Sequence, residues 1–140
     1  MEIDMLTDEK FIKKLFDIAE VLDNDFRYKI VAAVVYKNKI ISIGYCELKT
    51  HSFQKQYAKN EHSIYWHAET RAIHSASKLL TKRQFKKCTL YVCRGKIENN
   101  KCVHGNSKPC TGCESAIADF EIPRVVYSNT TYYDYEIMEK

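Results

Sequence analysis

His67-Ala68-Glu69 and Pro109-Cys110-Thr111-Gly112-Cys113 are the two places where residue type and spacing together suggest chemistry. One imidazole and two thiolates form a donor set that suits Zn2+ while leaving a fourth tetrahedral position for water. Three protein ligands point to a catalytic metal, because a structural zinc is normally closed by a fourth Cys or His. None lies beside this pair of cysteines in sequence. Glu69 follows His67 by two residues, an offset that lets its carboxylate approach a metal-bound water without being a ligand, so it is the expected proton shuttle. C-x-x-C alone also serves redox pairs and structural zinc, and H-x-E alone says less. A buried His with two small buried Cys, or a zinc that only holds the fold, are the competing readings.

These residues need elements that bring them together. Each motif sits at a predicted helix start. From His67 the apolar residues Ala68, Ala72, Ile73, Ala76, Leu79 and Leu80 recur at helical spacing for about fourteen residues. CTGCESAIADF (110–120) begins just after Pro109, whose fixed φ suits the approach to a helix. Cys110 and Cys113 then occupy a first turn, where free amides and the dipole favour thiolates.

Upstream, Thr7-Asp8-Glu9 reads as a helix start, and Phe11, Ile12, Leu15, Phe16, Ile18, Ala19 and Leu22 make an amphipathic helix over residues 8–22. It ends in the turn formers Asp23-Asn24-Asp25. KIVAAVVYK (29–37) and KIISIGY (39–45) are separated by too little chain to be anything but an antiparallel hairpin, with Asn38 suited to its turn. Residues 46–66 read as a long surface loop, CTLYVCR (88–94) as a strand, 95–109 as a loop by composition, and RVVYS (124–128) as a last strand. The tail YYDYEIMEK is either a short strand or an irregular end. This order predicts a mixed central sheet that opens with the hairpin, has parallel crossovers later, and is covered by helices.

The chain has 140 residues, 45% hydrophobic and 29% charged, which excludes a disordered chain, a collagen-like repeat and a coiled coil and suits one domain over residues 1–140. No apolar run approaches the ~20 residues of a membrane span, and the acidic N-terminus MEIDMLTDEK is unlike a secretory signal. A cytoplasmic protein without membrane partners is expected, with its six Cys kept as thiols. The net charge of +4 is unevenly placed. Residues 78–108 hold nine basic groups (Lys78, Lys82, Arg83, Lys86, Lys87, Arg94, Lys96, Lys101 and Lys108) against Glu98 alone. Such a stretch attracts phosphates, or is a solvated face.

H-x-E with P-C-x-x-C is the signature of zinc deaminases. On that basis the chain resembles the cytidine deaminase superfamily, and within it the deoxycytidylate deaminase-like group with its short phage-type members. KIVAAVVYKNKIISIGY looks like that group's opening hairpin, HAETRAI like its zinc helix, TLYVCR like its third strand, and PCTGCESAIADFEIPRVVYS like its second zinc helix and fourth strand. The resemblance implies a three-layer α/β/α cytidine deaminase-like fold. It also implies zinc on His67, Cys110 and Cys113, Glu69 as general acid/base, and the backbone at Ala68 against the base edge. The reaction implied is hydrolytic. A zinc-activated water attacks the ring carbon that carries the exocyclic amine, while Glu69 passes one proton of that water to the neighbouring ring nitrogen and then a second to the departing ammonia.

Two departures bear on the substrate. Where many relatives have an Asn for the sugar hydroxyl after the second strand, this chain has Cys46, which cannot replace the amide, so Cys46 is either at a changed sugar site or a buried strand-end thiol. The stretch 70–108 is also longer than expected of the group. Cys102 and His104 within it, with His62 or Cys93, would be the ligands of a second, structural zinc, against the reading of ordinary surface Cys and His. Phe53 and Trp66, with Lys49, His51 and Tyr57, are candidates for a pocket rim that stacks on the base. Tyr127 and the group Tyr132, Tyr133 and Tyr135 would close the pocket or meet a second copy in a homo-oligomer. The partner expected is a small nucleotide or nucleoside, most plausibly dCMP-like. Bases in single-stranded DNA or RNA, and an inactive zinc-stabilised binding module, are the alternatives.

Overall fold

In the computed structural model, which describes residues 2–22, 28–50, 52–57, 65–99, 101–131 and 134–139, helix α1 (Glu2–Val21) begins earlier than the expected start at Thr7. Acidic residues also occur at 2 and 4, so the charge pattern did not mark one start. Asp8 has another task. It is buried and accepts two N–H groups of Arg124, at 2.8 and 2.5 Å, and the hydroxyl of Tyr91 at 2.5 Å. The expected turn at Asp23-Asn24-Asp25 lies outside the described residues.

Strands β1 (Tyr28–Tyr36) and β2 (Lys39–Tyr45) form the antiparallel hairpin. Lys37 and Asn38 both have positive φ, 51° and 62°, as a two-residue type I′ turn requires. Residues 46–66 are not one loop. They contain β3 (Glu47–Thr50), the six-residue helix α2 (Ser52–Tyr57) and β4 (Tyr65–Trp66), with β3 and β4 paired as a separate ribbon. Elements this short carry no readable period, and their stability comes from what they pack against.

Helix α3 (Ala68–Ser77) stops before Leu80, and Leu79 is 67% exposed. The cause is Thr81, which starts a new turn, α4 (Lys82–Phe85). Its hydroxyl accepts from Gln84 N–H while Gln84 Oε1 accepts from Thr81 N–H, a capping box that competes with continuation of α3. The predicted loop 95–109 is corrected as well. Strand β5 runs on through it (Cys88–Glu98) and turns back as β6 (Lys101–Gly105), its polar composition concealing a hairpin. Helix α5 (Thr111–Asp119), β7 (Arg124–Ser128) and β8 (Tyr135–Glu139) complete the chain.

The strand order is β2-β1-β5-β7-β8, with β5 antiparallel to β1 and parallel to β7. β7 lies beside residues 89–92 of β5 and β6 beside residues 94–98, so the two share one side of β5 in succession. Two serines knit that junction. Ser107 donates its hydroxyl to Val92 C=O at 2.9 Å and its N–H to Ser128 C=O at 2.9 Å. Ser128 donates its hydroxyl to Gly105 C=O at 2.8 Å and receives Arg94 N–H at 3.0 Å.

Both faces of the sheet are covered, which explains why β1 reads as an unbroken apolar run. On one face Phe11, Ile12, Leu15 and Phe16 of α1 meet Val31, Ala33, Tyr91 and Val126. On the other, Ala72, Ile73 and Ala76 of α3 and Ala116 and Ile117 of α5 meet Ala32, Val34, Leu90 and Val125. The result is the expected α/β/α arrangement around a mixed sheet. Among the described residues no helix is long and apolar enough to cross a membrane.

Candidate active site

The two helix N-termini that carry the motifs meet. His67 is the N-cap of α3 and Cys110 the N-cap of α5, both in extended backbone. β2 sets the height of α3. Ser42 donates to Ala72 C=O at 2.6 Å, and Gly44 sits so close that a Cβ there would lie 2.4 Å from Ala68 O. His67 Nδ1 is 3.6 Å from Cys110 Sγ and 3.4 Å from Cys113 Sγ, and all three ligand atoms lie within 4.8 Å of one another. Bonds of about 2.3 Å to sulfur and about 2.0–2.1 Å to nitrogen across a tetrahedral angle put N and S about 3.6 Å apart. The side chains therefore fit Zn2+ in both chemistry and spacing.

The electrostatics suit a thiolate at Cys110. Cys110 Sγ accepts the Cys113 thiol and, at 3.4 Å, Cys113 N–H, and with His67 beside it the Cys110 thiol is drawn down to about 3. Cys113, hydrogen-bonded to Cys110 and buried, is pushed well up. His67 is raised, chiefly by its hydrogen bond with Cys110. Glu69 lies on the first turn of α3, is buried, and interacts with the Cys113 thiol. Burial is the largest influence on it and raises its pKa, against the opposing pull of His67.

Gln54 is the residue that sequence inspection missed. It comes from α2, is 1% exposed, and its Oε1 accepts from His67 N–H at 3.2 Å and from the Thr70 hydroxyl. A lone Gln in a polar stretch carries no signal of this.

Cys46 sits just past β2, buried, its N–H on Ile30 C=O at 3.4 Å. Burial raises its thiol, and the charge of Glu69 adds to this. Ala68 is buried at the start of α3. Trp66 directly precedes His67, with His74 edge-on at 5.9 Å and the Arg71 guanidinium 5.5 Å from its ring. Phe53 packs among Tyr57, His74 and Phe120, and Tyr127 lies in the core on the α3 and α5 face. His51, His62, Tyr132 and Tyr133 lie outside the described residues, as does the side chain of Lys49.

No second ligand set forms among the described residues. Cys93 and Cys102 pack on the α1 face of the sheet, and His104 stacks on Phe16 at 4.0 Å. The basic residues of 78–108 also separate. Lys78, Lys82, Arg83, Lys86 and Lys87 cluster around α4, where Lys86 pairs with Glu121 at 3.7 Å. Lys96 pairs with Glu98 at 3.2 Å on the hairpin. Arg94 lies one step beyond Val92 on the α3 and α5 face, held by Asn106 C=O at 3.1 Å.

A three-layer sheet with an imidazole and two thiols converging from two helix N-termini defines a zinc-binding protein of deaminase type. Residues 5–129 match the family described as the cytidine and deoxycytidylate deaminase zinc-binding region, and the chain belongs to that family. Among solved structures it is similar to the cytidine deaminase of Burkholderia pseudomallei, with TM-score 0.62 and 17% identity over 93% of this chain and 90% of that one. RibD of Acinetobacter baumannii aligns at TM-score 0.48 and 14% identity, over 86% of this chain and 27% of that one. No curated protein matches the sequence.

Proposed function

We propose that residues 1–140 act as one zinc-dependent hydrolytic deaminase domain on a cytosine-type nucleotide or nucleoside, with a dCMP-like pyrimidine the preferred substrate. The observation that carries this is Glu69, a buried carboxyl two residues from His67 and in contact with Cys113. His67, Cys110 and Cys113 hold the metal. Zn2+ bound there supplies Lewis acidity, lowering the pKa of water from about 16 towards about 7. Glu69 takes one proton of the attacking water and delivers it to the ring nitrogen next to the amine-bearing carbon, then takes the remaining hydroxyl proton and delivers it to the exocyclic amine, which leaves as ammonia while the carbonyl forms. The raised pKa of Glu69 favours a carboxyl that both accepts and returns a proton. The start of α3 at Ala68 offers backbone to the base edge, and Trp66 and Cys46 flank it.

Arg94 is the member of the basic stretch best placed to meet a substrate phosphate, since it shares the sheet face of the zinc ligands. A nucleic-acid substrate would need a continuous basic track, and the division of that stretch between α4 and the hairpin does not favour one. A cytoplasmic setting keeps thiolate ligands reduced. We expect a homo-oligomer, with Ile43 and Tyr45 on β2 and Ile137 on β8 exposed on the two edge strands.

The test is incubation of zinc-loaded protein with cytidine, deoxycytidine, CMP, dCMP, dCTP and a single-stranded oligonucleotide, read by mass for conversion of amine to carbonyl. Conversion of dCMP first, and its loss by about 10²–10⁴-fold in Glu69→Gln with zinc content unchanged, is expected. No conversion of any substrate sinks the proposal.

A further inference from the structure

We propose that α2 is a strap that fixes the spacing of the zinc ligands, with Gln54 as its positioning residue; this rests on the reading that His67, Cys110 and Cys113 hold zinc. The need for such a strap follows from the ligand positions. An N-cap side chain ordinarily satisfies free amides of its own helix. His67 makes no side-chain cap hydrogen bond, because its imidazole is directed at the two cysteines. The third helical residue, Thr70, is too short to reach back to the N-cap amide as Gln84 does for Thr81 in α4. Gln54 fills that place from another element, accepting from His67 N–H and from the Thr70 hydroxyl. The one hydroxyl proton of Thr70 is shared between Gln54 Oε1 and, at 3.2 Å, His67 C=O, so Gln54 and Thr70 together bracket the backbone on both sides of the ligand.

The other end of α2 rests on the second ligand helix. The backbone of Tyr57 lies against Gly112, the second of the two residues between the cysteines in the C-x-x-C turn. A Cβ at Gly112 would come within 2.2 Å of Tyr57 O and 3.3 Å of its carbonyl carbon. Tyr57 also donates its hydroxyl to Asp119, at the far end of α5, at 3.0 Å. One six-residue helix therefore holds the imidazole helix through a side chain and the thiolate helix through backbone contact. Partners of metal ligands typically change affinity by about 10–100-fold when removed.

The experiment measures Zn2+ affinity by competition with a chromophoric chelator, and the visible spectrum of the Co2+-substituted protein, for wild type, Gln54→Leu, Gln54→Glu and Gly112→Ala. Gln54→Leu should weaken Zn2+ binding by at least about tenfold and perturb the thiolate–Co2+ and d–d bands. Gln54→Glu keeps an acceptor for both donors and should recover most of that loss, which a packing role alone would not predict. Gly112→Ala should perturb the same bands from the other helix, and it tests the strap should Gln54→Leu fail to fold. Wild-type affinity and spectra in Gln54→Leu or, failing its folding, in Gly112→Ala, or equal losses in Gln54→Leu and Gln54→Glu, would overturn the strap. A wild-type protein that binds no Zn2+ would instead overturn the zinc reading beneath it.

Discussion

Removal of Asp8 is expected to be costly although it lies remote from the zinc ligands. Its carboxylate is 3% exposed and faces an Arg124 side chain that is 25% exposed, in a two-pronged pair that also receives the Tyr91 hydroxyl. Burial, and then Asp8, raise the pKa of Tyr91 and keep its hydroxyl a donor. Taking one partner from a buried pair costs about 3–5 kcal/mol, because the remaining charge loses its compensation. Arg124 keeps some contact with water and with Glu139 at 3.7 Å, which puts Asp8→Ala at the low end, about 3 kcal/mol. For a chain of this size that is roughly a 10 °C fall in Tm.

Urea unfolding followed by circular dichroism and fluorescence, with zinc constant, measures it. Arg124→Leu and the double variant complete a cycle in which the double loss should fall short of the sum by about 2 kcal/mol. Tyr91→Phe should cost only about 1 kcal/mol. Because Arg124 opens β7 at the end of the sheet opposite the ligands, turnover per folded molecule should not change. An Asp8→Ala protein within about 1 kcal/mol of wild type, or additive losses in the cycle, would refute the argument from a buried charge.

Gly44→Ala should cost about 3 kcal/mol or more, since its Cβ would meet backbone at Ala68 and Ala72 that cannot move aside; a normal denaturation midpoint with full zinc content would contradict this. His104 is buried against Phe16, and desolvation lowers its pKa from the ordinary value. The folded chain thus binds fewer protons than the unfolded one. The stability this residue provides is complete above about pH 6.5 and is lost as pH falls towards its folded pKa, by up to about 1.4 kcal/mol per unit. His104→Phe should flatten the difference between urea midpoints at pH 7.5 and 5.5, and an unchanged difference would count against it. Removal of the metal with a chelator should abolish turnover and lower Tm, and added Zn2+ should restore both.

The parts legible in sequence are those whose cause is local. Helical spacing marked Phe11 to Leu22, two β-branched runs across Lys37-Asn38 marked the hairpin, and residue type with short spacing marked His67, Glu69, Cys110 and Cys113. What escaped is set by partners far along the chain. Gln54 acquires its role from an amide 13 residues away, and Asp8 from a guanidinium 116 residues away. Thr81 was legible in principle, as Thr-x-x-Gln is a capping box, yet the apolar spacing of Leu79 and Leu80 masked it. In β6 the strand lies in a Gly- and Asn-rich segment, and the pairing with β5 that stabilises it is invisible until β5 is known to continue.

The serine junction makes the β5–β6 hairpin an excursion that closes on itself. The chain departs after Val92, and Ser107 returns to bond the carbonyl it left. Pro109 and Cys110 therefore start from the same point whatever happens between. For a flexible excursion, each doubling of its length adds only about 0.6 kcal/mol of closure entropy. The tip of that excursion, around Glu98 and Lys101, is thus a place where chain length is a free variable, whereas Cys102 and His104 nearer its base are held against α1. The tip can be trimmed, extended or exchanged for a reporter sequence, and the cysteine turn inherits no displacement so long as the two serines remain.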